Sequence, residues 1–322
     1  MLSTTRSPFS VADDALQAIG NTPVVRLNKV VGPDSAEVFV KLEYYNPTGS
    51  YKDRMAMAMI GEAERSGALK PGMTVVECTG GSTGTSLAFV CAVKGYRFQV
   101  VTSDAFAPEK LRTMRAFGAD LVIVPSQGRK ITPDLIPTMR ERARELAQRP
   151  DAFFTDQINN PNSIRGYRRI GEELLAQLNR PIDAFCAAVG TAGMLMGVST
   201  ALREAGQTTR VVALEPASAP LLSEARPGPH RVEGIAIGIV PPLLSSTAYD
   251  EVRTVEESEA RDMARRLARE EGIFAGISSG LNILAAVRLG QELGPGHTVV
   301  AVACDSGMKY LAGDLFDSTE TT

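Results

Sequence analysis

Short apolar runs recur along the chain, separated by polar turns and by longer stretches whose apolar positions return every third or fourth residue. The first pattern suits a strand buried on both faces, and the second an amphipathic helix. Strands are expected at Val38–Leu42, Thr74–Cys78, Arg97–Thr102, Asp120–Val124, Ala152–Asp156, Ala184–Val189, Thr209–Leu214 and Thr298–Asp305. Helices are expected at Met55–Ser66, Thr85–Val93, Pro108–Phe117, Leu135–Ala147, Gly166–Leu178, Met194–Ala205, Val255–Glu271 and Gly280–Leu293. Strands alternating with helices at this spacing imply βαβ units on parallel sheets. Ile19–Leu27 reads as a turn entering a strand. Glu215 through Ile235 is irregular and rich in Pro and Gly, and the polar tail Asp314–Thr322 is expected to fray.

Composition narrows the function classes. A chain of 322 residues has room for two α/β lobes. With 44% hydrophobic and 22% charged residues and a net charge of -3, it lacks the basic character of a nucleic-acid binder. No apolar run approaches the span of a bilayer, and Met1–Ala15 shows no basic start followed by an apolar block. A cytoplasmic protein is expected. Cys78, Cys91, Cys186 and Cys304 each lie in or beside an apolar run without CxxC pairing, which suggests buried free thiols. His230 and His297 are the chain's two histidines, so a histidine metal site or a Ser-His-Asp triad has little support, and no metal is expected.

Three junctions carry candidate chemistry. Asn46-Pro47-Thr48-Gly49-Ser50-Tyr51-Lys52-Asp53-Arg54 links a strand to a helix, and its Pro and Gly enforce a turn that leaves Lys52 near the helix start. The positive end of a helix repels an ammonium. Partial burial adds to that repulsion, and both favour a neutral, nucleophilic amine. Such an amine can form a Schiff base with a carbonyl cofactor; a solvated surface lysine is the plain alternative. Glu77-Cys78-Thr79-Gly80-Gly81-Ser82-Thr83-Gly84 is a glycine-rich turn suited to a carboxylate or phosphate, and it lacks the Lys of a Walker A loop. Val189-Gly190-Thr191-Ala192-Gly193-Met194 offers a helix N-terminus to a phosphate. It is not a GxGxxG followed by an acidic residue, which disfavours a nicotinamide oxidoreductase. An ordinary tight turn is the plain alternative for both glycine-rich loops.

Taken in order, these segments and four others resemble the cysteine synthase (O-acetylserine sulfhydrylase) and cystathionine β-synthase family. These are pyridoxal phosphate enzymes of the tryptophan-synthase-β fold type (fold type II). The four others are Ile19-Gly20-Asn21-Thr22-Pro23, Gln157-Ile158-Asn159-Asn160-Pro161, Pro227-Gly228-Pro229-His230-Arg231-Val232-Glu233-Gly234-Ile235 and Gly276-Ile277-Ser278-Ser279-Gly280. With Asp305-Ser306-Gly307-Met308-Lys309-Tyr310-Leu311 the resemblance spans nearly the whole chain. It implies an α/β fold of two lobes, each a mostly parallel twisted sheet flanked by helices, with pyridoxal 5'-phosphate in the cleft between them. The smaller lobe would be 42–160, and the larger 1–41 with 161–322; a homodimer is implied. Lys52 would hold the cofactor. Gly190, Thr191, Ala192, Gly193 and Met194 would hold its phosphate, Ser82 would face its phenolic oxygen, and Ser278 its pyridine nitrogen. Thr79, Gly80, Gly81, Thr83 and Gln157 would hold the substrate carboxylate.

The chain departs from the family pattern at several of these positions. Gly80 stands for Ser, Ser82 for Asn and Met194 for Thr. Ser82 offers a hydroxyl where the family has an amide, so the contact to the phenolic oxygen is lost, weakened or water-mediated. Ala192 replaces a Gly, which is tolerable if its φ is negative. A neutral Ser278 is a milder electron sink than an Asp and suits elimination at Cβ. The implied reaction is β-replacement on an activated L-serine through an aminoacrylate, in its best version O-acetyl-L-serine and sulfide giving L-cysteine and acetate. Homocysteine giving cystathionine, or an amine giving a diamino acid, are variants with other nucleophiles. A non-catalytic pyridoxal-phosphate-binding regulator is a different class, disfavoured by the presence of Lys52, Ser278 and both glycine loops. His230 is read as structural rather than as a general base.

Overall fold

The computed structural model describes residues 11–128, 132 and 134–317. Its frame is two sheets. β1 (Val24–Arg26) and β2 (Glu37–Leu42) are antiparallel, and β2 then joins β10 (Thr298–Ala303), β7 (Ala184–Ala188), β8 (Arg210–Pro216) and β9 (Glu251–Val255) in parallel. The second sheet is all parallel, in the order β5 (Asp120–Val124), β4 (Arg97–Ser103), β3 (Thr74–Cys78), β6 (Ala152–Phe154). β7 and β10 are buried at every position, as a parallel strand covered on both faces must be. The helices are α1 (Lys52–Arg65), α2 (Ser82–Lys94), α3 (Pro108–Ala116), α4 (Leu135–Ala147), α5 (Asn162–Leu178), α6 (Gly193–Glu204), α7 (Leu221–Glu224), α8 (Glu257–Arg266) and α9 (Ile277–Leu293). The fold is thus the two-lobed α/β architecture expected, with a helix following each parallel strand of the four-stranded sheet.

The helices nearest the site mix apolar stripes with close backbone approach. α5 packs on both α1 and α6, and a single apolar cluster runs from Met55 and Met59 through Val75 and Leu87 to Phe185 and Val300, crossing between the lobes. A second cluster under α8 and α9 fills the far face of the six-stranded sheet.

Three expectations need correction. Val255 closes the edge strand β9 instead of opening a helix, and α8 continues as a π turn over Leu267–Glu271. β6 ends at Phe154, because Thr155 turns its hydroxyl to Val76 O and Glu77. The tail does not fray where it is described. Leu315 is buried, Phe316 stacks on Phe274 at 4.6 Å, and Asp314 pairs with Arg261 at 2.6 Å. The rest of that tail, beyond Asp317, lies outside the described residues.

Candidate active site

The segments of Lys52, Thr79–Thr83, Gln157 and Gly190–Met194 follow the carboxyl ends of β2, β3, β6 and β7, where open α/β sheets bind their ligands, whereas Ser278 follows α8 and its π turn. The turn after β2 is pinned to the end of β10. Tyr51 N donates to Cys304 O and Ser306 N to Gly49 O, both at 3.0 Å. From the other side, Thr48 N and Oγ1 donate to the Asp53 carboxylate at 2.8 and 2.5 Å. Asp53 lies in the first turn of α1, where the helix favours an anion.

Lys52 is therefore the first residue of α1, and it is 7% exposed. Its Nζ donates to Tyr51 Oη at 2.8 Å and lies 4.3 Å from the Tyr51 ring centroid and 5.9 Å from that of Tyr167. Burial pushes the amine down to about 8. Its neutral form is thereby far more accessible near neutral pH than that of a free lysine.

The start of α1 is held by a buried ionic lattice that the sequence reading missed. Arg54 Nε and Nη2 donate to Glu43 at 2.6 and 2.8 Å, and Nη1 and Nη2 to Glu173 at 2.7 and 2.8 Å. Lys41 Nζ completes it at 2.7 Å from Glu173. Burial alone would raise the Glu173 carboxyl, yet Arg54 and Lys41 hold it down to about 2. The available signal was Lys41 itself, a cation inside a strand otherwise patterned for burial.

The turn after β3 meets the turn after β6. Thr83 Oγ1 donates to Gln157 Oε1 at 2.7 Å, and Gly81 N donates to Thr79 Oγ1 at 3.2 Å. Beneath them Glu77 accepts from Thr155 Oγ1 (2.7 Å), Cys78 N (2.7 Å) and Gln157 N (3.1 Å), and burial pushes its carboxyl up to about 7. Thr79, Gly81, Thr83 and Gln157 thus share one corner. Gly80 has a steric reason: a Cβ there would lie 2.3 Å from the ring of Phe106, which follows β4. That ring fills the space a serine would need, and no pattern in the sequence announced it. Ser82 opens α2 and accepts from Lys309 Nζ at 3.2 Å.

Gly190 to Met194 carry β7 into α6. The first N–H groups of a helix have no partner within it, and residues 190–195 line one small cavity together with Tyr51, Lys52 and Tyr167. A Cβ on Gly190 would strike Gly234 O at 2.3 Å, and Ala236 N donates to Val189 O at 2.8 Å, so the segment around Gly234 covers this turn. Ala192 contradicts the negative φ anticipated for it. It caps α6 at φ 68, left-handed, because the entry into the helix demands that geometry. An L-residue there carries about 1–2 kcal/mol of strain. Thr191 and Met194 are both buried, and the Met194 side chain belongs to the apolar core.

Ser278 sits in the first turn of α9, whose N-cap is Gly276, so it does not serve as the cap. The next residue, Ser279, accepts from Cys304 N at its Oγ at 2.9 Å, which ties this turn to the end of β10. Ser278 is not among the residues that line the Lys52 cavity. His230 Nε2 lies 3.1 Å from Ala236 O, tying down the segment over the phosphate-type turn.

A pyridoxal phosphate fits these residues. The buried Tyr167 Oη has no partner and borders the same cavity as the amides at the start of α6 and the Lys52 amine. The donors converge on one cavity, suited to an anion, and a nucleophilic amine stands beside them. The fold and site define a fold type II enzyme of this cofactor class, and the chain belongs to the pyridoxal-phosphate dependent enzyme family, whose sequence pattern matches residues 15–305. It is similar to a cysteine synthase of Staphylococcus aureus, 43% identical over 306 residues, covering 94% of this chain and 97% of the relative. It is also similar to the O-ureido-L-serine synthase of Streptomyces lavendulae, 40% identical over 95% of this chain and 93% of that protein. The crystal structure of cysteine synthase from Entamoeba histolytica matches with a TM-score of 0.91 at 30% identity, covering 100% of this chain and 96% of that one. The protein is a pyridoxal-phosphate dependent enzyme. Among the described residues, no helix is long and apolar enough to cross a membrane.

Proposed function

We propose that this enzyme replaces the β-substituent of an activated L-serine, converting O-acetyl-L-serine and sulfide to L-cysteine and acetate. The observation that carries the reading is the Lys52 amine, buried at the start of α1 and sharing a cavity with the amides at the start of α6. Lys52 holds the cofactor, residues 190–194 its phosphate, and Ser278 its ring nitrogen. When bound, pyridoxal phosphate supplies the electron sink that lets the substrate Cα proton leave. Lys52, with its lowered pKa, takes that proton and later returns it to Cα. Thr79, Gly81, Thr83 and Gln157 grip the substrate carboxylate, which fixes the Cα–H bond toward Lys52. Acetate departs from Cβ, and sulfide adds at the same carbon. The carboxylate-binding turns belong to a smaller lobe, 42–160, and the phosphate turn to the larger one.

A second reading keeps the same first half and changes the nucleophile, to homocysteine or an amine. The Phe106 ring over Gly80 and the hydroxyl at Ser82 favour it, since they alter the corner where substrate binds. The similarity to an O-ureido-L-serine synthase supports it too.

One preparation tests the reading. The purified protein should be yellow, and borohydride should fix the chromophore on the peptide containing Lys52. Incubation with O-acetylserine, O-phosphoserine or serine, each with sulfide, should then yield cysteine fastest from O-acetylserine. A colourless protein that binds no pyridoxal phosphate overturns the cofactor assignment. A yellow protein that makes no cysteine, but consumes O-acetylserine with another nucleophile, decides for the second reading.

A further inference from the structure

Lys309 lies on the turn Gly307–Tyr310 after β10, and its side chain reaches across the cleft to Ser82 at the start of α2. The hydroxyl of Ser82, at 3.2 Å, is the hydrogen-bond partner of its ammonium among the described residues. An ammonium carries three N–H donors, so two are unspent. Among the described residues, no carboxylate stands within ion-pair distance to take them. Asp53 spends its oxygens on Thr48, and Asp305 gives one oxygen to Tyr310 Oη at 3.0 Å. The other Asp305 oxygen is buried without a partner. Both acids act on Lys309 through their charge alone, while burial lowers its pKa. The other cations nearby are Lys52 and Lys110. Lys52 turns to Tyr51, and Lys110 pairs with Glu233 and lies 5.6 Å from the Tyr310 ring.

Lys309 is half-buried, and a cation with spare donors in such a place is suited to complete an anion. The position it touches is the one where the departure from the family pattern removed an amide. We propose that Lys309, together with the Ser82 hydroxyl, contacts the phenolic oxygen of the bound pyridoxal phosphate and stabilises its ionised form. It would replace a neutral amide contact with a charge-assisted one. This inference rests on the cofactor being held at Lys52.

The test uses the holoenzyme and compares wild type with Lys309→Met, Lys309→Arg and the double variant Lys309→Met/Ser82→Asn. Absorbance resolves the long-wavelength band of the ionised phenol from the short-wavelength band of the neutral one, and fluorescence titration gives the cofactor dissociation constant. Lys309→Met should transfer intensity to the short-wavelength band and weaken cofactor binding about 10-fold, the size of one lost charge-assisted hydrogen bond. Lys309→Arg should keep the wild-type spectrum, and adding Ser82→Asn should restore much of the long-wavelength band. A Lys309→Met protein with wild-type band ratio and affinity overturns the inference while leaving the cofactor assignment intact. So does a loss that neither Lys309→Arg nor Ser82→Asn recovers, since that loss would be structural. A wild type that binds no pyridoxal phosphate overturns both.

Discussion

Replacing Lys52 by Met should make the cofactor-free protein more stable near neutral pH. Burial lowers the Lys52 amine from 10.5 to about 8. At about 1.36 kcal/mol per pH decade, that gap corresponds to about 3 kcal/mol of cost for keeping the cation in the fold. Methionine removes the cost and fills a similar volume, but it strips Tyr51 Oη of its 2.8 Å donor. An unpaired buried hydroxyl costs about 1 kcal/mol, so the net gain is about 2 kcal/mol, or roughly 4 °C in a chain this long. The sign follows from proton binding. Below about pH 8 the amine is charged in both states, and the full cost is present. Between about 8 and 10.5 the folded chain releases its proton first, so wild-type stability rises and the variant's advantage shrinks. Urea unfolding of both proteins, stripped of cofactor, across this range measures the difference directly. A Lys52→Met protein that is less stable at neutral pH, or whose advantage does not change with pH, would refute the account of the buried amine.

Three further outcomes follow from single contacts. Arg54→Met leaves Glu43 buried without its cation and should cost about 3–5 kcal/mol, with Glu43→Gln recovering part of it in a double-mutant cycle followed by denaturant. Gly80→Ser should cost about 1–3 kcal/mol through collision with Phe106, and adding Phe106→Ala should relieve that collision; equilibrium unfolding of the single and double variants reads this out. Gly190→Ala drives a methyl toward Gly234 O and should loosen the segment over the phosphate turn, weakening pyridoxal phosphate binding about 10-fold by fluorescence titration.

The parallel strands and the turns after them were legible because buried β runs and glycine-rich junctions leave marks within a few residues. Thr74–Cys78, Asp120–Val124 and Leu135–Ala147 fall where the periodicity puts them. β9 escaped because an edge strand of alternating charge, Glu251-Val252-Arg253-Thr254-Val255, lacks the apolar run that marks an inner strand. Lys52 could be located because the turn and the helix start are local features. The Arg54 lattice, the Phe106 ring over Gly80 and the Lys309 reach to Ser82 join residues distant in sequence, and no local pattern encodes such meetings. The left-handed Ala192 escaped for another reason: alanine gives no sign of positive φ, whereas the glycine of the family pattern would have.

All four sulfhydryl side chains are pushed up to about 12 by burial. At neutral pH only about one molecule in 10^5 then presents a thiolate at any of these positions. Under the reaction proposed above, sulfide would enter the site and a free thiol would leave it, so a reactive thiolate in the chain would be exposed to both. With all four thiols held protonated, such a reagent or product would meet no reactive partner in the chain. Even Cys78, next to Thr79 in the corner after β3, is kept protonated by its surroundings.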